Sequence, residues 1–192
     1  MGYNESRNNM KIIGVVGPLA CGKGVVAEYL IKNKGFASFS LSTIVHDELK
    51  KSGVTNFTRT TLQDIGDKLR MREGDGALAK RAVAILKEKE VENVIIEGIR
   101  NPGEVEYLRT LPHFYLIAID SKRELRYDRV IKRGKPWDPK DWESFEKVDC
   151  RDQGDKQNKS GQQVLACMQL ADIKIENNGD LALLNKEIEK IV

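Results

Sequence analysis

The chain has 192 residues, of which 40% are hydrophobic and 32% charged, and its formal net charge at pH 7 is +3. This composition is that of an ordinary globular domain and excludes a largely disordered chain, while the length suits a single domain better than two. Three cysteines without metal-ligand spacing exclude a disulfide framework or a zinc site, and no apolar run reaches the ~18 residues of a membrane span. We therefore expect a cytoplasmic protein whose residues 1–10 form a flexible tail.

The first predicted element is a strand at residues 11–16, KIIGVV, followed by a tight loop and a helical pattern. Residues 17–23, GPLACGK, fit the phosphate-binding motif G-x-x-x-x-G-K in the strand–loop–helix context that the motif requires. Glycines let backbone amides surround the β-phosphate, the helix N-terminus adds a positive dipole, and the lysine bridges the β- and γ-phosphates. The predicted ATP contacts are Gly17, Pro18, Ala20, Cys21, Gly22, Lys23, Gly24 and Val25.

Position 24 departs from this motif. A Ser or Thr after the lysine would supply a hydroxyl ligand to Mg²⁺, but the chain has Gly24 followed by Val25. Two hypotheses remain open. In the first, which we favour, Mg²⁺ is held by phosphates, water and a carboxylate elsewhere; in the second, the chain binds nucleotide without efficient turnover.

The rest of the chain alternates short apolar runs with longer helical patterns. Strands are predicted at residues 37–41, 94–96, 114–119 and 173–175, and helices at residues 43–51, 58–72, 77–89, 103–109 and 180–191. This alternation predicts an α/β fold, with a mostly parallel sheet covered by helices on both faces. Residues 134–160, dense in charge and containing both tryptophans, are interpreted as an excursion from the core of the kind that forms lids.

Several segments give the sequence a resemblance to known proteins: GPLACGK, FSLS, TRTTLQDIGDKLR, EGIRNPGEVEYLR, RELRYDRVIKR and ADIKIENNGDL. From residue 11 to 192 the chain resembles the P-loop kinases grouped around nucleoside monophosphate kinases and dephospho-CoA kinase. It is similar, more closely, to a set of small archaeal nucleotide-kinase-like proteins. The resemblance implies a three-layer P-loop NTPase fold with five parallel strands, an acceptor-binding region at about residues 40–75 and a lid at about residues 121–160.

The acceptor side is predicted on the helix at residues 58–72. Arg59, Gln63, Gly66 and Arg70 are spaced four, three and four residues apart and so share one face. Guanidinium groups bind phosphate bidentately, so this face suits an acceptor's phosphate and base, although a solvated face would carry the same pattern. The predicted acceptor contacts are Ser40, Arg59, Gln63, Arg70 and Arg100.

Glu97 ends the strand at residues 94–96, and open parallel sheets bind ligands at the carboxyl ends of their strands. We therefore predict that Glu97 holds a metal ion through water or acts as a general base. Arg100 follows on the same edge and would face the transferred phosphate.

Four arginines, spaced three, three and four residues apart, share one helical face within residues 122–133, and an anionic ligand would relieve their repulsion. From this face Arg126, Arg129 and Arg133 are predicted to stabilise charge on the transferred phosphate. The resemblance to dephospho-CoA kinase and its relatives implies that Asn177 contacts adenine, whereas the residues alone would predict a turn.

The leading hypothesis is an ATP- and Mg²⁺-dependent phosphotransferase whose acceptor is small and phosphorylated, above all a (deoxy)nucleoside monophosphate. Dephospho-CoA kinase is the alternative enzyme, and a regulatory nucleotide-binding protein is the alternative outside the enzymes. Nucleic-acid binding through the arginines is disfavoured, because the sequence has no recognised module or aromatic platform. No membrane partner is expected, and the oligomeric state stays open.

Overall fold

In the computed structural model, which describes residues 10–190, five strands alternate with helices along the chain. The strands are β1 (Lys11–Val16), β2 (Ala37–Ser40), β3 (Asn93–Glu97), β4 (Phe114–Asp120) and β5 (Ile173–Glu176). The helices are α1 (Lys23–Lys34), α2 (Leu41–Lys51), α3 (Arg59–Glu73), α4 (Ala77–Glu88), α5 (Pro102–Arg109), α6 (Arg123–Arg133), α7 (Trp142–Gln153), α8 (Val164–Gln169) and α9 (Leu181–Glu189). The predicted tail at residues 1–10 lies, except for Met10, outside the described residues.

The strands form one sheet in the order β2-β3-β1-β4-β5, and every neighbouring pair is parallel. The predicted α/β fold with a five-stranded parallel sheet is therefore confirmed. The apolar runs of β1 and β3 are continuous because these strands are covered on both faces, so that successive side chains are buried on alternate sides of the sheet. Within residues 10–190, every helix is too short or too polar to cross a membrane.

Two hydrophobic clusters cover the two faces of the sheet. Ile12 and Val16 of β1 point into the cluster formed with α2, α3, α4, α5 and α8. Ile13 and Val15 point the other way, into the cluster formed with α1 and α9. This two-sided burial holds the strands in register, because a slip of one residue would exchange the side chains between the faces.

The functional edge of the sheet follows from the parallel arrangement. Glu97, the last residue of β3, is paired with Ser40 at the end of β2 and with Val15 near the end of β1. Side chains that follow these strands therefore meet at one edge, where α/β sheets bind their ligands.

Within residues 134–160, interpreted as an excursion from the core, residues 142–153 form a helix, α7, that was not predicted. The helix begins at an N-cap, Asp141, whose carboxylate accepts a hydrogen bond of 2.8 Å from the Ser144 amide. Phe145 and Val148 pack into a small cluster with Leu19 of the loop after β1. The sequence of α7 shows little helical hydrophobic periodicity, because the buried face of the helix also carries two carboxylates. The acceptor-binding region and the lid themselves stay predictions.

Candidate active site

The loop between β1 and α1 needs its two glycines for steric reasons. A Cβ on Gly17 would lie 2.1 Å from the carbonyl oxygen of Ile119, and one on Gly22 would lie 2.2 Å from Nδ2 of Asn177. Gly22 also has a φ of 112°, which side chains disfavour. The neighbouring strand end and the β5–α9 loop thus approach this loop so closely that only glycine fits, and the phosphate-binding shape depends on both.

Lys23, the first residue of α1, extends back over this loop. Its amine donates to the carbonyl oxygens of Gly17 and Pro18, both at 2.8 Å. Burial lowers the pKa of Lys23, and the positive charges of Arg100 and Arg59 lower it further. Several cations therefore converge on one point at the sheet edge, where an anion would be favoured.

Asn177 holds the loop from the side of β5. The Asn177 side chain is buried, and its Nδ2 donates to the carbonyl oxygen of Cys21 at 2.9 Å. The backbone carbonyl oxygen of Asn177 accepts from Arg129 at 3.0 Å. Arg129 also donates to Ser121 Oγ at 3.0 Å. Both residues support the phosphate loop in the structure, and their direct contacts with ATP stay predictions.

Two of the predicted phosphate-binding arginines have carboxylate partners within the chain. Arg126 is buried and forms a two-pronged ion pair with Asp149 of α7, one contact being 2.9 Å. Arg133 pairs in the same way with Asp138, at 2.7 and 2.9 Å. At these two positions Asp149 and Asp138 therefore offset the repulsion along α6 that was expected to favour an anionic ligand, and the contacts of Arg126 and Arg133 with the transferred phosphate stay predictions.

Glu97 lies close to the lysine of the loop. Burial raises the pKa of the Glu97 carboxyl, and the Lys23 amine offsets part of this rise. Ser38 Oγ, at 3.5 Å, is a weak hydrogen-bond donor to the carboxylate. A partly desolvated carboxylate beside a phosphate loop has the basicity that proton transfer or metal binding requires.

The oxygen donors at this edge fit a magnesium ion held largely by nucleotide phosphates. Ser40 ends β2 beside Glu97 at the end of β3, and its hydroxyl oxygen lies 2.8 Å from that of Ser42. Residues 10–190 contain no group of three or more His, Cys, Asp or Glu side chains that could hold a metal ion. Mg²⁺ commonly binds through one or two carboxylates plus waters and phosphates, a pattern that Glu97 could serve directly or through water.

Arg59 and Gln63 lie one helical turn apart on α3, whose start is fixed by a capping box between Thr58 and Thr61. Within residues 10–190, Nε of Arg59 and Oε1 of Gln63 are buried without a hydrogen-bond partner. Burial, reinforced by the charge of Arg100, lowers the pKa of Arg59 to about 10. Unsatisfied buried polar atoms of this kind are uncommon and costly, and a ligand with an anionic oxygen and a donor group would satisfy both.

Asp152 completes the cluster and was not predicted from the sequence. This carboxylate of α7 is fully buried, pairs with Arg100 and accepts from Nε2 of Gln63 at 2.7 Å. Burial by itself would raise the pKa of Asp152, but Arg100 and Arg59 lower it overall. Gln63 Nε2 also faces the Val148 carbonyl oxygen at 3.3 Å, so both neighbours of the amide nitrogen are acceptors and the orientation of the amide is fixed.

Arg70, predicted as an acceptor contact, has a different environment. Its side chain is 1% exposed, and it donates to Glu104 of α5 at 2.8 and 2.9 Å and to Asp67 at 3.3 Å. We therefore leave Arg70 out of the acceptor site and regard it as a link between α3 and α5. The sequence spacing could not reveal a partner 34 residues away.

Comparisons with known proteins agree with this fold. The profile of a family described as an AAA domain matches residues 13–153. A UPF0200 protein of Thermococcus sibiricus is 34% identical over 186 residues, covering 94% of this chain and 93% of its own. A UPF0200 protein of Methanothermobacter thermautotrophicus is 35% identical over 150 residues, covering 76% of this chain and 74% of its own.

Solved structures share the fold at low sequence identity. TT1252 from Thermus thermophilus superposes with a TM-score of 0.59 at 20% identity, covering 96% of this chain and 97% of its own. Shikimate kinase from Aquifex aeolicus gives a TM-score of 0.51 at 14% identity, covering 94% of each chain. These similarities support the architecture and leave the substrate open.

Proposed function

Because the chain belongs to the AAA domain family and to the UPF0200 group of archaeal proteins, we propose that it is an ATP-dependent phosphotransferase. Its acceptor is small and phosphorylated, most readily a (deoxy)nucleoside monophosphate. The observation that carries the proposal is the linkage of two half-sites: the phosphate loop with Lys23 on one side, and Arg59 with Gln63 on the other. Helix α7 joins them, because its Asp149 pairs with Arg126, which donates to the Leu19 carbonyl oxygen of the loop at 3.2 Å, and its Asp152 accepts from Gln63 at 2.7 Å.

In the proposed reaction an acceptor oxygen attacks the γ-phosphorus of ATP, and the bond to the β–γ bridging oxygen breaks to release ADP. The loop amides and the Lys23 amine hold the β- and γ-phosphates, and Arg100 lies where it can neutralise the charge that develops on the transferred group. Mg²⁺ bound with ATP would supply further charge neutralisation. Glu97 would hold a water molecule or accept the acceptor's proton.

The role of Glu97 differs between the two candidate acceptors. The phosphate of a nucleoside monophosphate is already ionised at neutral pH, so Glu97 would serve mainly to orient water around the metal. The acceptor in dephospho-CoA is a hydroxyl group, whose proton needs a base, and the raised pKa of Glu97 suits that task. Dephospho-CoA kinase therefore remains the alternative.

Gly24 supports a second alternative, a regulatory nucleotide-binding protein with weak or no turnover. The hydroxyl that usually ligates the metal after the loop lysine is missing from the sequence. The choice between an enzyme and a regulatory protein depends on whether phosphate, water and Glu97 suffice to hold Mg²⁺ for transfer.

An ATP-consumption screen tests the proposal directly. Purified protein would be supplied with ATP, Mg²⁺ and, one at a time, ribonucleoside monophosphates, deoxynucleoside monophosphates and dephospho-CoA, with products identified by mass. We expect ADP and one acceptor that has gained a phosphoryl group, with no product from a Lys23→Ala control. ATP binding without transfer to any acceptor, even at high Mg²⁺, would favour the regulatory alternative.

Restoring the missing hydroxyl gives a sharper test of metal handling. A Cβ at Gly24 meets no atom within 4 Å among the residues that the structure describes, so Gly24→Ser and Gly24→Thr should be accommodated. We expect either to lower the Mg²⁺ concentration for half-maximal transfer about tenfold, which matches the roughly 1.4 kcal/mol of one charged contact.

Gly24→Ala is the matched control for this test. It should stabilise α1 by about 0.5–1 kcal/mol, because alanine favours helix over glycine, but it adds no metal ligand. An Mg²⁺ requirement that falls equally in the Ala and Ser variants would attribute the effect to the helix and contradict the metal-ligand explanation.

A further inference from the structure

We propose that the carboxylate of Asp152 occupies an anion subsite that a phosphate group of the acceptor takes over when it binds. This inference rests on the proposed function, since it concerns the acceptor side of the same site. In the absence of the acceptor, Asp152 of α7 takes the place of the acceptor's phosphate.

The geometry that carries the inference is a carboxylate placed among donors meant for an anion. Asp152 is fully buried, and its two oxygens accept from Arg100, in the β3–α5 loop, and from Gln63 on α3. Arg59, one turn before Gln63, contributes an Nε that is buried and lacks a hydrogen-bond partner in the described part of the chain. The carboxylate therefore binds two of these donors and leaves the third, the Arg59 Nε, without an acceptor among the described residues.

Charge points to the same conclusion. The positive groups that influence Asp152 and its neighbour Lys23 include Arg59 and Arg100, so a carboxylate with one negative charge faces several cations. A phosphate monoester carries about two negative charges at neutral pH and three strong acceptor oxygens. It could accept from both arginines at once, including the Arg59 Nε that has no partner among residues 10–190.

Displacing Asp152 would also affect how α7 is held. The same helix is fixed to α3 by Arg151, which pairs with Asp64 at 2.7 Å and Asp67 at 2.9 Å, and by the bond from Gln63 to the Val148 carbonyl oxygen. An acceptor phosphate that takes the place of Asp152 releases a further tie, from Asp152 to Gln63, and leaves these in place. Acceptor binding is thus coupled to the position of α7, which lies within the predicted lid.

The competing explanation is that Asp152 is a permanent positioning residue that keeps Arg100 oriented while the ligand binds elsewhere. The two explanations predict opposite results when the charge is removed. If Asp152 competes with the ligand, its neutralisation should strengthen anion binding; if it only orients Arg100, the anion should bind equally well or more weakly.

The test is a calorimetric titration of inorganic phosphate into wild type and Asp152→Asn. ADP and Mg²⁺ are saturating, so that the phosphate loop is filled. We expect the Asp152→Asn variant to bind phosphate about tenfold more tightly, since it no longer has to lose an ion pair first. Adding Arg59→Ala to that variant should remove the gain, because it deletes the donor assigned to the subsite. Asp172→Asn, which neutralises a carboxylate paired with Arg109 before β5, is the control and should leave phosphate affinity unchanged.

Equal affinities in wild type and Asp152→Asn, or a gain that survives Arg59→Ala, would overturn the proposal. If Asp152→Asn is too unstable to titrate, its melting temperature in phosphate is compared with that in chloride at equal ionic strength. A rise specific to phosphate and dependent on Arg59 supports the subsite, and its absence contradicts it.

Failure of the proposed function would be visible separately, as an absence of ADP binding in the first calorimetric step. The phosphate comparison would then be made without ADP, where only the subsite depends on Arg59.

Discussion

Glu97→Gln should reduce phosphoryl transfer by about a thousandfold while ATP affinity changes little, because it removes the carboxylate that would orient water around the metal or act as the base. Glutamine keeps the size of the side chain but cannot accept a proton and is a poor magnesium ligand. Glu97 ends β3 beside the loop lysine, on the same edge as the donors of the acceptor site. Steady-state transfer rates measured together with ATP calorimetry separate a loss of chemistry from a loss of binding.

The stability of this variant provides an independent check. Burial raises the folded-state pKa of Glu97 above its unfolded value, so its contribution to stability is present at low pH and is lost as the pH rises through the folded pKa. A charged Glu97 costs the folded protein the desolvation of its carboxylate, a cost that glutamine removes. Glu97→Gln should therefore melt at a higher temperature than wild type at pH 7, and this gain should vanish as the pH falls below about 4.3, the ordinary pKa of glutamate.

If Glu97→Gln melts at a lower temperature than wild type at pH 7, this account is contradicted. Such a result would mean that the Glu97 carboxylate stabilises the fold through contacts with its neighbours. Ser38→Ala is the matched control. It removes the 3.5 Å contact with the carboxylate while leaving the charge in place, so it should preserve most of the transfer activity.

The architecture could be predicted because it depends on local signals. Each strand was predicted from a short apolar run between polar or glycine-containing turns. The spacing of glycines and lysine at residues 17–23 is specific to phosphate-binding loops. Even the start of α3 at Thr58 follows from a capping residue. The number of parallel strands came from the family resemblance, and their order in the sheet was not predicted, since spacing alone does not determine it.

The details of the site were harder to predict because they depend on partners that are distant in sequence. Arg126 was predicted to face a ligand, but its partner Asp149 is 23 residues further on, in a segment for which no helix was predicted. Arg100 and Asp152 are separated by 52 residues. A helix whose inner face alternates Phe145 with buried carboxylates has weak hydrophobic periodicity, so neither α7 nor its ion pairs could be inferred.

Lys23→Ala should weaken ATP binding about a hundredfold, as expected from the loss of charge-assisted contacts with the β- and γ-phosphates. Calorimetry with ATP measures the affinity, and circular dichroism verifies the fold. Lys32→Ala is the matched control: it removes the same charge from the other end of α1, where Lys32 pairs with Glu28 on the surface, and it should leave ATP affinity unchanged.

The ATP-free stability of Lys23→Ala distinguishes a ligand contact from a structural role. Burial lowers the pKa of Lys23, so a charged amine costs the folded protein desolvation free energy, and alanine removes that cost. Against this, the amine supports the loop through the carbonyl oxygens of Gly17 and Pro18. If the first effect dominates, the variant will melt no lower than wild type while binding ATP far more weakly. A variant that melts much lower but binds ATP normally would assign Lys23 to the support of the loop and remove the basis for the phosphate site.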